Sequence, residues 1–170
     1  MKKLLALSIM MFVFTAAILA QSATATATAT IVTPITLANA LDLSFGNVIP
    51  SATLAGTVVV APDGTPTYTA VTASATPSAT AAVSAAAFNV TGTPGAAYSV
   101  TLPTTDVTLT GPTSTMVANT FTNSPSGVAL VLDATAGTQS FTVGATLVVG
   151  INQAAGTYLS APFTVTVNYN

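Results

Sequence analysis

From residue 23 onward, apolar residues alternate with threonine, serine or asparagine over most of the chain. A period of two places the apolar set on one face of an extended strand and the hydroxyl set on the other, which is not the spacing of a helix. The clearest runs are Tyr98-Ser99-Val100-Thr101-Leu102, Val107-Thr108-Leu109-Thr110 and Phe163-Thr164-Val165-Thr166-Val167-Asn168-Tyr169, and the short run from Val58 to Val60 also reads as strand. Their valines, threonines and aromatics are the residues that fit a pleated, half-buried surface. Turn formers interrupt these runs at Gly46-Asn47, Pro62-Asp63-Gly64, Gly92-Thr93-Pro94-Gly95, Gly111-Pro112, Ser124-Pro125-Ser126-Gly127, Gly137 and Gly156. Residues 79–88 are alanine-rich but run into Asn89-Val90-Thr91-Gly92 without a helix cap, and read as strand. The expectation is an all-β fold, an immunoglobulin-like antiparallel β-sandwich forming a single domain over residues 33–170.

The N-terminus has a different character. Lys2 and Lys3 precede an apolar stretch at residues 4–19, and Ala16, Ala17 and Ala20 follow the small-residue pattern of a cleavage site. Residues 1–20 are expected to be a secretory signal peptide, cut between Ala20 and Gln21; a membrane anchor is the alternative. Residues 21–32 then form an N-terminal extension. No other apolar run is long enough to span a bilayer as a helix, so no membrane span is expected in the processed chain.

Charge narrows the functional classes. Charged residues make up 4% of the chain, against about 25% in an ordinary soluble domain. Both lysines lie in the expected signal peptide, which leaves Asp42, Asp63, Asp106 and Asp133 as the charged side chains of the processed chain. Without arginine there is nothing to neutralise phosphates, so nucleic acid is not an expected partner. The absence of histidine and cysteine leaves no thiol nucleophile, no imidazole base, no disulfide and no zinc site of ordinary composition. The four aspartates lie 21, 43 and 27 positions apart, without the clustered oxygens that calcium requires. Asp63 and Asp133 read as turn residues. The chain is not expected to be an enzyme, to hold a metal or to carry a cofactor. Asn89-Val90-Thr91 is a glycosylation triplet, incidental in a threonine-rich strand. Tyr68, Tyr98, Tyr158 and Tyr169 read as core or edge residues in preference to a sugar-stacking face.

Residues 23–30 are four Ala-Thr dipeptides. The apolar register Ala23, Ala25, Ala27, Ala29 and Ile31 continues through Ile35 and Leu37. As one strand, residues 23–37 would reach about 50 Å at about 3.3 Å per residue, beyond an ordinary strand of about 5–6 residues. The second half is expected to begin the domain's own sheet. The first half reads either as a flexible tail or as a strand donated to a neighbour, in which backbone hydrogen bonds give affinity and alternate side chains give fit. Soluble sheets guard their edges with lysine and charge, and here the processed chain has no lysine for the purpose.

Leu43-Ser44-Phe45-Gly46-Asn47-Val48, Ala87-Phe88-Asn89-Val90-Thr91-Gly92, Gly156-Thr157-Tyr158 and the terminal Val165-Thr166-Val167-Asn168-Tyr169 together resemble the bacterial secreted family catalogued as domain of unknown function 4402. The resemblance covers essentially residues 30–170, and the family name implies no activity. The C-terminus is also similar to the major subunits of chaperone–usher pili, in Phe163, Val165, Val167, the penultimate Tyr169 and the upstream Gly156. That similarity implies a sandwich short of one strand, filled by a neighbour's extension, with a periplasmic chaperone and an outer-membrane usher as partners during export. The chain departs from it in having no disulfide and no glycine in the middle of the candidate donor strand.

The function expected from these residues is a structural subunit of an extracellular, pilus-like filament on the bacterial cell surface, a homopolymer built without covalent links. Ala23, Ala25, Ala27, Ala29 and Ile31 are the candidate donor residues. Phe163, Val165, Val167 and Tyr169 are the candidate wall of the acceptor groove. The alternatives are a monomeric secreted adhesin or carbohydrate-binding module, and a coat protein that stacks without donated strands.

Overall fold

The computed structural model describes residues 21–73, 82–126 and 130–170. The expected signal peptide and residues 79–81 of the alanine-rich stretch therefore lie outside the described residues. The chain divides into two units, Met1–Ile31 and Val32–Asn170. In the first, residues 21–31 carry no secondary structure and are exposed throughout.

The second unit is all-β among its described residues. Its strands are β1 (Thr36–Leu41), β2 (Ser44–Phe45), β3 (Val48–Ile49), β4 (Gly56–Val60) and β5 (Pro66–Thr69). They continue with β6 (Thr72–Ala73), β7 (Val83–Ser84), β8 (Ala86–Thr91), β9 (Ala97–Thr101) and β10 (Val107–Thr110). The last are β11 (Thr115–Ser124), β12 (Leu130–Val131), β13 (Thr138–Val149), β14 (Leu159–Ser160) and β15 (Thr166–Tyr169). The turn formers named above fall between them: Pro62-Asp63-Gly64 joins β4 to β5, Gly92 to Gly95 joins β8 to β9, and Gly111-Pro112 joins β10 to β11.

The architecture is a sandwich of antiparallel sheets. The large sheet runs β1-β8-β13-β11-β10-β14, and a smaller one runs β12-β9-β15. The pairs β2-β7 and β3-β6 form two further ribbons. β13 is the spine. Its residues Phe141, Val143, Ala145, Leu147 and Val149 all point into the core and are each at most 2% exposed. One side of β13 pairs with β11 along most of its length. The other side changes partner: residues 138–143 pair with β8, and residues 145–149 pair with β4. Gly144 sits at the change, where a Cβ would land on the Val60 carbonyl. Only glycine lets two strands abut there on one edge.

The switch produces two adjoining core clusters. The upper one gathers Phe45, Val58, Val60, Val71, Ala118, Leu147 and Val149. The lower one gathers Phe88, Val90, Tyr98, Leu130, Leu132, Phe141, Val143 and Val167, so it holds the small sheet against the large one. Phe88 and Phe141 are register partners whose rings stack at 5.3 Å. No helix among the described residues is long and apolar enough to cross a membrane.

The first strand starts later than the Ala-Thr alternation suggests. β1 opens at Thr36, paired with Thr91. Pro34 has no N–H to give to a ladder, and both backbone groups of Thr33 bond elsewhere, as described next.

Candidate functional site

The C-terminal alternation is real, but its strand is shorter than residues 163–169. Phe163, Val165, Val167 and Tyr169 all pack on the lower core cluster. Val167 is buried, and the other three are half-buried. Backbone pairing begins only at Thr166, opposite Thr101, and ends at Tyr169, opposite Tyr98. Residues 161–165 carry no ladder, and Pro162 could not donate to one.

β15 ends its sheet. β9 lies on one side of it, and no described strand pairs with the other. β1 ends the large sheet in the same way, with β8 alone as its partner. These two terminal strands approach each other. Ile35, next to β1, and Leu37, within it, are half-buried on the same lower cluster as Phe163 and Val165. Two unpaired edges thus flank one incompletely covered apolar core. Each edge offers unpaired N–H and C=O groups to an added strand, and the half-buried side chains offer it an apolar floor.

The donor candidates Ala23, Ala25, Ala27, Ala29 and Ile31 lie in residues 21–31, unpaired and exposed; Ile31 is 98% exposed. Val32, first residue of the compact unit, is 54% exposed.

Tyr169 ties down the start of the compact unit. Its hydroxyl donates to the Thr33 carbonyl at 2.7 Å and accepts from the Thr93 N–H at 2.7 Å. The Thr33 N–H in turn donates to Thr93 Oγ1 at 2.9 Å, and that hydroxyl donates back to the Thr33 carbonyl at 3.3 Å. Gly92 leaves room for this hub, since a Cβ there would land on the Tyr169 hydroxyl. The sequence offered Tyr169 as a core or edge residue and as a candidate groove wall. That it also anchors Thr33, and that Ile35 and Leu37 pack on the same cluster, depends on contacts between distant segments. The one local signal was the apolar register running on from Ile31 to Leu37.

The charged and phenolic groups serve mainly local structure. Asp63 Oδ1 accepts from the Thr65 N–H at 2.8 Å, and Asp133 Oδ1 accepts from the N–H groups of Thr135 at 2.8 Å and Ala136 at 2.6 Å. These backbone donors hold both carboxyls below the usual aspartate value. Asp42 accepts from Asn39 Nδ2 at 2.6 Å. Tyr158 belongs to a polar cluster with Ser114 and Gln153, and its hydroxyl donates to the Ala154 carbonyl at 2.7 Å. Tyr68 packs on the upper cluster. Tyr98 is fully buried; burial pushes its phenol up, and no group among the described residues reaches its hydroxyl. Asn89, in β8, accepts from Ser140 Oγ at 2.7 Å. Among the described residues no three Asp, Glu, His or Cys side chains gather into a metal-binding group.

A family model described as "Domain of unknown function (DUF4402)" matches residues 35–169. No curated protein and no solved structure gives a match.

Proposed function

The chain belongs to this family, whose description assigns no activity, and from that premise we propose that it is the structural subunit of an extracellular filament, assembled by donation of residues 23–31 to a neighbouring copy. The observation that carries the reading is the pair of terminal strands, β1 and β15, over one half-covered apolar cluster. A strand inserted between them would hydrogen-bond to both edges and cover Ile35, Leu37, Phe163 and Val165. The alternating register Ala23, Ala25, Ala27, Ala29 and Ile31 is of the right kind for that role: small apolar side chains on one face, hydroxyls on the other. The sparse charge fits too, because packed copies would bury few uncompensated charges. In this reading the chain is exported to the bacterial cell surface, with a chaperone and an usher as export partners, and its lasting partner is itself.

Electron microscopy of the chain from Gln21, beside a chain from Ile31 and an Ile31→Asp variant, tests the proposal. Uniform thin filaments from the first and none from the other two are expected, since Asp at 31 would place an unpaired charge in the inserted face. Filaments from all three would refute strand donation, and monomers from all three would refute the filament.

A further inference from the structure

Three of the aspartates are engaged by neighbouring groups: Asp42 by Asn39, Asp63 by Thr65, and Asp133 by Thr135 and Ala136. Asp106 is different. Among the described residues it makes no hydrogen bond or ion pair, and it lines a surface pocket of about 460 Å³ that is open to solvent. The pocket is shared with Thr104 and Thr105 on the loop before β10, and with Asn119, Thr120 and Phe121 on β11.

Three successive residues of a regular strand cannot line one pocket, because neighbours point to opposite faces. Here β11 carries a register shift between Asn119 and Thr122, and Thr120 has φ of 52°. A β-branched residue in the left-handed region is an outlier that stores about 1–3 kcal/mol. Bulges of this sort re-aim side chains, and this one turns Asn119, Thr120 and Phe121 onto the same space. The Thr120 hydroxyl donates to Asn119 Oδ1 at 3.2 Å, which leaves the Asn119 amide N–H groups available. Phe121 is half-buried, packs on both core clusters and meets Phe163 with ring centroids 5.2 Å apart.

We infer that this pocket is a binding site for a neutral, polyhydroxylated ligand, a sugar residue of a glycan. The chemistry of the lining selects the class. Asp106 repels anions, and no lining group is cationic to offset it. A single carboxylate is a poor calcium cage. A wholly apolar ligand would strand the hydroxyls, the amide and the carboxylate. A sugar matches them: its hydroxyls donate to Asp106, accept from Asn119 and exchange with the threonines, while a C–H face rests on Phe121. The inference does not need the assembly reading, although the two regions meet where Phe121 touches Phe163.

The test is ligand-observed saturation-transfer NMR on the purified chain. The probes are the methyl glycosides of glucose, galactose, mannose and N-acetylglucosamine, each at about 10 mM, which loads a site of millimolar affinity. At least one glycoside should receive saturation. Asp106→Asn, on an exposed residue, should leave thermal unfolding unchanged and lower the affinity about tenfold through loss of a charge-assisted hydrogen bond. Thr120→Gly, which accepts the same φ without strain, should keep the fold and loosen binding. No transfer from any of the four, or transfer unaffected by both variants, overturns the inference. So does saturable calcium binding abolished by Asp106→Asn, because the occupant would then be a cation.

Discussion

Tyr98 and Tyr169 allow one chemical change, the loss of a phenolic hydroxyl, to be made in opposite settings. Tyr169→Phe keeps the ring on the lower cluster but removes two hydrogen bonds of 2.7 Å. The half-buried Thr93 N–H loses its acceptor, which costs about 1–2 kcal/mol, and the more exposed bond to Thr33 adds about 0.5 kcal/mol. Thr33 keeps its bonds to Thr93 Oγ1, so the total should be about 2 kcal/mol. Tyr98→Phe removes a fully buried hydroxyl with no hydrogen-bond partner among the described residues. An unsatisfied hydroxyl carries a desolvation penalty of about 1–3 kcal/mol, so its removal should be neutral or stabilising by up to about 1 kcal/mol. Urea unfolding, followed by tyrosine fluorescence and circular dichroism at concentrations where light scattering reports a monomer, measures both. With m of about 2 kcal/mol/M, Tyr169→Phe should lower the midpoint by about 1 M, and Tyr98→Phe should leave it level or raise it. Equal shifts for the two variants, or a loss below about 0.5 kcal/mol for Tyr169→Phe, would refute the hub.

Two further predictions rest on the same framework. Gly144→Ala should destabilise by about 3 kcal/mol or more, because the methyl meets the backbone carbonyl of Val60 and not a movable side chain; thermal unfolding checks it. Asp63 and Asp133 are lowered in the folded chain, so the stability they contribute is present above their unfolded value and lost as pH falls through the folded one. Unfolding midpoints should therefore decline below about pH 4 and stay level from about pH 5 to 8, where the histidine-free chain lacks its usual titrating side chain. Asp133→Asn should flatten part of that acid decline, and an unchanged slope would count against the turn hydrogen bonds.

The strands were legible because each records its own burial. In residues 163–169, or at Tyr98 to Leu102, the alternation of the letters is the alternation of the faces. Turn chemistry was legible for the same local reason: Asp63-Gly64 and Gly92 to Gly95 need particular backbone angles or close approaches wherever they occur. What stayed hidden was pairing. Nothing in the neighbourhood of Gly144 announces that β13 changes partners there, since the need for glycine arises from Val60, far away in sequence. Phe163 and Val165 keep the alternation but lose the ladder, because a ladder needs a second strand and the pattern records only a face. The pocket beside Asp106 was hidden most completely. It depends on a bulge at Thr120, whose residue type argues against the conformation it adopts.

The unbroken inward row of β13 bears on how the molecule comes apart. Phe141 and Val143 belong to one cluster, and Ala145, Leu147 and Val149 to the other, yet all are rungs of one backbone. Neither cluster can open while its share of that backbone stays in place, so both should be lost in a single step. Amide protons along β13 should then exchange with solvent only through that complete opening, with one common free energy of opening. β1 and β15, each held from a single side, should exchange earlier through local fraying.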